Sequence, residues 1–243
     1  VGIDRFLTTG DASVISNLTT ENIRPILKET EGQDSHAQHL RKMAQTIFEF
    51  AQNSATCRGK ELPKAALAVQ ENIEQAIHSS DHLVKPLKPL LEKMQARFQG
   101  YQHHQDLLNI FHVIKWCREH NLIQQGLTLL EESLITHLCH KVGFNADNLQ
   151  QRHAISGAIS FIAQKSPDGM SGGKEKDSLR AEDVIEIITP HIPSREFVKT
   201  FERLRSARND INHGGYSANY KKAKDFQKTF DKVLTEFEKQ LSS

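Results

Sequence analysis

The feature that most constrains the fold of this chain is the spacing of its apolar residues, which recur every three or four positions along most of its length. This spacing places apolar side chains on one face of an α-helix, whereas a half-buried strand alternates at every second residue. The sequence therefore predicts an all-α fold in which amphipathic helices pack as a bundle. The clearest run follows a candidate N-cap at Asp34 or Ser35 and contains Leu40, Met43, Ile47, Phe50 and Ala51.

The same spacing continues through the rest of the chain. Pro86 and Pro89 are expected in the first turn of a helix at 83–98, where proline is tolerated, and Gly143 is expected beyond the end of another helix. The full set of further predicted helices is 63–79, 83–98, 107–117, 123–138, 149–163, 197–211 and 217–241.

Two segments lack this clear periodicity. The β-branched run VIEII at 184–188 fits a short strand, but its helical neighbours favour a short buried helix. Residues 165–180 are rich in glycine, serine and lysine without a period, which predicts a mobile loop. We predict a linker and N-terminal helical segment at 1–33, followed by a helical domain at 34–243 that contains this loop.

Composition excludes several classes of protein. The 243 residues include 31 basic and 30 acidic ones, so the chain is not a grossly basic nucleic-acid wrapper, although a local basic patch remains compatible with this balance. The three cysteines, Cys57, Cys117 and Cys139, show no paired spacing, which favours reduced thiols in a cytoplasmic protein. No apolar run is long enough to span a membrane, and no signal peptide is seen. Because the chain starts at Val1, we expect a piece of a longer protein.

The stretch RNDINHGGY at 208–216 has the strongest chemical interest. Arg208 falls on the stripe of apolar residues Phe197, Phe201, Leu204 and Ile211, and a guanidinium there needs an ionic partner or a polar cleft. A salt bridge to a neighbouring helix, or a side chain that reaches out to solvent, is the simple interpretation. Glu131 or Glu132 is a candidate partner.

His213 lies five residues beyond Arg208, so a continuous helix would turn it about 140° away. The glycines at 214 and 215 predict a left-handed helix end near this point, and Ser217 is a candidate cap for the next helix. The histidine would then stand at a helix–helix corner. A simple C-terminal histidine, favoured by the helix dipole, is the alternative.

The corner is locally basic. From Arg195 to Lys224 there are eight lysines and arginines but only three acidic residues. This favours a phosphate backbone as the partner, with a solvated charged helix face as the alternative.

The stretch RNDINH resembles the R-x4-6-H motif of HEPN ribonucleases. Together with WCREHNLIQQGLTLLEESL at 116–134 and RFLTTGDAS at 5–13, it resembles the HEPN half of CRISPR-associated CARF–HEPN effector nucleases. In that family an N-terminal CARF domain senses cyclic oligoadenylate, and the HEPN half cuts RNA in antiviral defence. The resemblance implies that this chain is the effector half, following a sensor domain that the sequence does not contain.

The resemblance implies a homodimer with a composite site, in which Arg208 and His213 are catalytic and Asn209 assists. The substrate would be single-stranded RNA, cut through attack by its own 2′-OH to leave a 2′,3′-cyclic phosphate. No metal and no cofactor are expected. Arg205, Tyr216, Lys221 and Lys222 are the expected RNA-binding residues, although a staple that packs the turn is the favoured interpretation of Tyr216.

Three other interpretations stay open. In the first, the chain is a non-catalytic helical module that dimerises or binds RNA, and Arg208 is a structural salt-bridge partner. In the second, the cleft degrades the cyclic activator as well as RNA, because the activator carries the same phosphodiester and 2′-OH. Finally, His137 and His140 are spaced for a metal, but Cys139 faces elsewhere and no fourth ligand is indicated, so zinc is disfavoured.

Overall fold

A computed structural model of the chain describes residues 2–78, 88–164, 181–216 and 218–241. Over these residues the chain forms eleven α-helices and one short 3-10 turn at Thr189–His191, with no strand, which confirms the predicted all-α class. The helices are α1 (Gly2–Thr9), α2 (Ser13–Glu29), α3 (Ser35–Ala55), α4 (Leu62–His78), α5 (Lys88–Arg97), α6 (Asp106–Glu119), α7 (Ile123–Lys141), α8 (Leu149–Gln164), α9 (Ala181–Ile188), α10 (Arg195–Asn212) and α11 (Ala223–Leu241).

Several predicted helix ends are confirmed in detail. Asp34 is the N-cap of α3, because its Oδ1 accepts a hydrogen bond of 2.8 Å from the backbone N–H of Ala37. Gly143 follows α7 in the left-handed region, with φ of +74°. Pro89 is in the first turn of α5, whereas the predicted start of that helix and Pro86 lie outside the described residues.

The run at 184–188 belongs to α9, so the helical interpretation was right and the strand interpretation wrong. Val184 and Ile188, four residues apart, are both fully buried, as one face of a helix requires. The predicted loop at 165–180 lies outside the described residues.

The start of the last helix was predicted wrongly. Helix α11 begins at Ala223 and not at 217. Before it, the backbone N–H of Lys221 donates a hydrogen bond of 2.6 Å to Asp210 Oδ2 on α10. This long-range bond holds the chain in a non-helical path, which local propensity does not reveal.

The chain forms two compact units, Val1–Gln125 and Gly126–Ser243. The prediction of a single domain at 34–243 is not tested by this division and stays a prediction. The first unit is centred on aromatic rings from α1, α3 and α6 and from Phe98, which follows α5. Phe6 and Trp116 have ring centroids 5.1 Å apart, and Phe50 and Phe98 have centroids 5.0 Å apart. All four side chains are buried.

The second unit contains α8 to α11 and nearly all of α7. Phe197 near the start of α10 meets Phe237 near the end of α11, with ring centroids 5.1 Å apart, so the two helices run antiparallel. Phe201 and Phe230 are also fully buried. This hairpin of α10 and α11 carries every residue that the sequence assigned to catalysis or RNA binding.

Candidate active site

Helix α10 ends as the glycine pair predicted. Gly214 and Gly215 adopt φ of +63° and +76°, a region that costs other residues free energy. The N–H of His213 still bonds to the carbonyl of Asn209 at 2.9 Å, and the N–H of Gly215 bonds to the carbonyl of Asp210 at 3.2 Å. His213 is therefore the C-cap residue, held at the tip of α10 just before the chain turns back.

Two faces of α10 carry the two halves of the motif. Arg208 continues the buried face of Phe201 and Leu204, as the stripe predicted. His213 and Asn209 lie on another face, because helical geometry holds up to the C-cap and five residues turn the chain by about 500°. Within one chain the two catalytic candidates therefore point to different sides of the helix.

Arg208 is paired with a buried carboxylate on α7. Its Nε lies 2.7 Å from Glu131 Oε2, and the side chain of Glu131 is only 1% exposed, compared with 25% for Arg208. The hydrogen bond to Glu131 raises the pKa of the Arg208 guanidinium above its ordinary value, so the charge is permanent. This pairing confirms the partner suggested by the sequence.

A second carboxylate extends this ion pair into a network. Glu132 Oε1 lies 3.8 Å from Arg208 Nη2, and Glu132 Oε2 lies 2.6 Å from Arg152 Nη2 on α8. Arg152 also donates to Thr136 Oγ1 at 2.8 Å and to the carbonyl of Ala146 at 3.0 Å. Two arginines from different helices are thus oriented by adjacent glutamates of α7, which fixes the direction of Arg208.

His213 opens into a cavity of about 560 Å³. Its lining combines an imidazole, amides, hydroxyls, a carboxylate and a lysine, which suits a polar ligand. Arg208 is not among the lining residues, which are Ser206, Asn209, Asp210, His213, Tyr216, Asn219 and Lys221.

Asp210 anchors the chain segment that forms the far side of this cavity. Its Oδ2 accepts the Lys221 N–H, while its Oδ1 is buried and has no hydrogen-bond partner among the described residues. A buried carboxylate oxygen without a partner costs free energy. The sequence analysis missed this residue, and the pairing of positions 210 and 221 leaves no local sequence signal.

The four expected RNA-binding residues differ in their surroundings. Tyr216 is 96% exposed, so the interpretation of its ring as a packed staple was wrong. Tyr220, also in the turn, is 61% exposed. Lys221 lines the cavity and Lys222 is exposed. Two exposed rings beside two lysines are a surface that suits the bases and phosphates of a single strand.

Arg205 is tied to the neighbouring helix. Its Nη1 contacts the hydroxyl of Ser160 on α8 and lies 3.9 Å from Glu202 Oε1. Ser160 itself donates to Glu202 at 2.6 Å. Arg205 is nevertheless 37% exposed, so it packs α8 against α10 while keeping an edge toward solvent. The sequence analysis had no signal for Ser160 or Glu202.

The described residues offer neither a metal-binding cluster nor a membrane-spanning helix. Within the described ranges no group of three or more histidine, cysteine or acidic side chains is placed to hold a metal ion. His137, Cys139 and His140 therefore do not form such a group. None of the described helices combines the length and the apolarity that crossing a membrane demands.

The first part of the chain is similar to a known family. Residues 1–105 match a family model described as CRISPR-associated protein MJ1674, second domain. This similarity associates the chain with CRISPR systems. It covers less than half of the chain and lies within the first unit, so it does not reach Arg208, His213 or the cavity. No curated protein matches the chain.

Proposed function

We propose that this chain is an endoribonuclease of the HEPN type, which cuts single-stranded RNA without needing a metal ion. The observation that carries the proposal is the placement of His213 and Asn209 in a polar cavity at the tip of α10, beside Lys221 and the exposed ring of Tyr216. An imidazole, cations and an exposed aromatic ring are the groups that binding and cutting RNA require.

The substrate supplies its own nucleophile, the ribose 2′-OH. In the proposed reaction a neutral His213 imidazole takes the 2′-OH proton as the bond from O2′ to phosphorus forms. The bond from phosphorus to O5′ breaks, and O5′ takes a proton from a protonated imidazole. The products are a 2′,3′-cyclic phosphate and a 5′-OH end.

The transition state carries extra negative charge on the phosphoryl oxygens, and Arg208 is the proposed group that stabilises it. A guanidinium suits this role because it stays charged and is oriented by Glu131. Asn209 would orient the phosphate or the imidazole through its amide. Glu131 is then a positioning residue that acts through Arg208.

The different directions of Arg208 and His213 favour a site shared by two protomers. If two α10 tips meet across a homodimer, Arg208 from one chain faces the cavity of the other. The same arrangement brings two copies of His213 together, so that one accepts the 2′-OH proton and the other donates to O5′. A dimer thus resolves the angle of about 140° between the two residues.

The similarity of residues 1–105 to a CRISPR-associated domain supports a place in antiviral defence. In the full-length protein we propose control by cyclic oligoadenylate, bound by a sensor domain outside this sequence. The family match supports the association with CRISPR, and the resemblance to CARF–HEPN nucleases suggests the activator.

The pairing of Arg208 with Glu131 also favours a second candidate, a helical module that dimerises or binds RNA without cutting it. A buried ion pair between two helices is what a purely structural arginine makes. In that case the residues around the cavity would bind RNA, and no substitution would remove a cleavage activity.

The deciding experiment is cleavage of an end-labelled single-stranded RNA in excess EDTA. The wild type is compared with His213→Ala and with a control, His153→Ala, whose exposed histidine lies on α8. We expect cyclic-phosphate ends from the wild type and the control but not from His213→Ala. Cleavage that EDTA abolishes would contradict the mechanism. Absence of cleavage by the full-length protein with cyclic oligoadenylate would favour the binding module.

A further inference from the structure

A second cavity, of about 640 Å³, is lined by the end of α8, by α10 and α11, and by Lys221 of the turn between them. Ser206 and Lys221 line both this cavity and the His213 cavity, so the two cavities are neighbours on one hairpin, and together they are called the groove. The antiparallel packing of α10 and α11 explains the groove, because it brings side chains from both helices to one side of the hairpin. The second cavity contains none of the residues assigned to the reaction.

The second cavity is strongly cationic. Four of its lining residues carry positive charge, and they come from both helices of the hairpin and from the turn between them: Lys199, Arg203, Lys221 and Lys232. Glu202 is the acidic residue of the lining, and its carboxylate already accepts a hydrogen bond from Ser160 and lies 3.9 Å from Arg205. The negative charge is therefore largely compensated before any ligand binds.

Two of these cations have a weak partner outside the cavity. Glu196 Oε1 lies 3.1 Å from Arg203 Nη1, and Glu196 Oε2 lies 3.9 Å from Lys199 Nζ. All three side chains are at least 42% exposed, and exposed ion pairs of this kind contribute little free energy. An anionic ligand can therefore replace Glu196 as their partner at small cost.

The chemistry of the lining selects phosphate over bases. Among the described residues that line the second cavity none is aromatic, whereas Tyr216 lines the first cavity and Tyr220 lies beside it in the turn. Ammonium and guanidinium groups bind phosphate oxygens, while exposed rings stack on bases. The groove thus has one end suited to bases and one end suited to the backbone.

We propose that the second cavity is a phosphate-binding subsite, which holds the backbone of the RNA strand a few nucleotides away from the scissile bond at His213. This inference rests on the proposed function, since it extends the same strand along the groove. The chain is then expected to bind an RNA strand more tightly than a mononucleotide or a dinucleotide.

The test uses the full chain and RNA that cannot be cut, with 2′-O-methyl riboses, so that binding is measured apart from cleavage. Affinity for an oligonucleotide of about 12 nucleotides and for a dinucleotide is measured across a range of salt concentrations. The variant is Lys199→Ala with Lys232→Ala. The matched control is Lys28→Ala with Lys239→Ala, two exposed lysines outside both cavities that give the same change in charge.

Each phosphate contact contributes about −0.7 to the slope of log affinity against log salt for a single strand. We expect the double variant to reduce the steepness of this slope by about 1.4 for the long oligonucleotide and to leave dinucleotide binding unchanged. The control should change neither value, and Lys199→Arg with Lys232→Arg should restore the wild-type slope.

Three results would overturn the subsite: an unchanged slope in the double variant, an equal loss for the dinucleotide, or displacement of the RNA by polyglutamate as readily as by single-stranded DNA of equal charge. The last result would assign the groove to an acidic protein segment. If the wild type cuts RNA but the slope is unchanged, the subsite is wrong and the ribonuclease stands. If the slope changes as expected but RNA is never cut, the groove binds RNA and the ribonuclease proposal is wrong.

Discussion

The interiors of the two units solve the problem of packing helices in different ways. The first unit uses aromatic rings, with Phe6, Phe50, Phe98 and Trp116 in mutual contact. The second unit also buries phenylalanine rings, but in addition it places a carboxylate, Glu131, in its interior and pairs it with an arginine. Apolar contacts stabilise without specifying one direction, whereas buried charges are costly unless their geometry is right. The difference indicates that the second unit gives up some stability to hold oriented polar groups.

The same contrast appears in how histidines are used. In the first unit His120 stacks on Trp116 with ring centroids 3.7 Å apart, and its ring nitrogens contact the carbonyls of Trp116 and Leu7 at 2.8 and 3.2 Å. This histidine joins α1 to α6. In the second unit His213 is exposed at a helix end and faces a cavity. One histidine is part of the packing, and the other is accessible to a ligand.

The largest expected effect comes from breaking the aromatic interior. Phe50→Ala removes a fully buried ring that contacts three others, and we expect a loss of about 3–5 kcal/mol in the free energy of unfolding. Trp116, the single tryptophan, reports this in a urea titration followed by fluorescence. Leu18→Ala, at a side chain that is 45% exposed, should stay close to the wild type. A small loss in Phe50→Ala would contradict a tightly packed interior.

The next effect distinguishes the contribution of the Arg208–Glu131 ion pair to stability from the proposed role of Arg208 in RNA cleavage. Glu131→Leu leaves Arg208 without its buried partner, and we expect a loss of about 3 kcal/mol, measured by circular dichroism in urea. The double variant Glu131→Leu with Arg208→Met should recover most of that loss, because it removes both charges. Recovery of stability without recovery of RNA cleavage would show that Arg208 does more than pack. If the single and double variants are equally unstable, the unpaired Arg208 charge is not the cause of the lost free energy of unfolding.

A smaller effect is expected at the anchor of the turn. Asp210→Ala removes the acceptor of the Lys221 N–H, a charge-assisted hydrogen bond, but also removes the buried oxygen that has no partner among the described residues. We expect a net loss of about 1 kcal/mol. Amide exchange at Lys221 should become faster, while the amides of Phe201 and Leu204 keep their protection. Unchanged exchange at Lys221 would show that the turn is held by other contacts.

The smallest effect concerns pH. Burial, and then the positive charges of Lys141 and His140, lower the pKa of His137 below its ordinary value. The unfolded chain therefore binds the proton more readily, so this residue's contribution to stability is fully present above about pH 6.5 and is lost as the pH falls from there through the lower pKa of the folded state. His137→Gln should show a smaller drop in urea midpoint between pH 7.5 and pH 5.5 than the wild type. Equal drops would contradict this assignment.

The sequence predicted the helices well because their signals are local. The apolar spacing, the cap at Asp34 and the left-handed glycines at 143, 214 and 215 each act within a few residues. The start of α11 was missed because a side chain on α10 determines it. Asp210 and Lys221 are eleven positions apart, and no local pattern announces their bond.

The candidate site was predictable only in part for the same reason. The position of Arg208 on an apolar stripe indicated that it needs an ionic partner. Glu131 and Glu132, within the stretch 116–134 that resembles CARF–HEPN nucleases, were the candidates. The contacts of Arg205 with Ser160 bridge 45 positions and depend on how α8 packs on α10. The exposure of Tyr216 likewise follows from the path of the turn and not from its own type.

The left-handed backbone at Gly214 and Gly215 separates two stretches of chain that differ in their tolerance of insertions. Each residue added between Arg208 and His213 turns the imidazole by about a further 100° around α10 relative to the guanidinium. One insertion would carry the imidazole about 120° to the other side of Arg208, and two would bring it within about 20° of the Arg208 face. Residues added after Gly215 lengthen only the turn and leave the imidazole where it is. The spacing from Arg208 to His213 therefore determines the angle between the two side chains. Insertions within that spacing change the angle, whereas insertions after Gly215 do not.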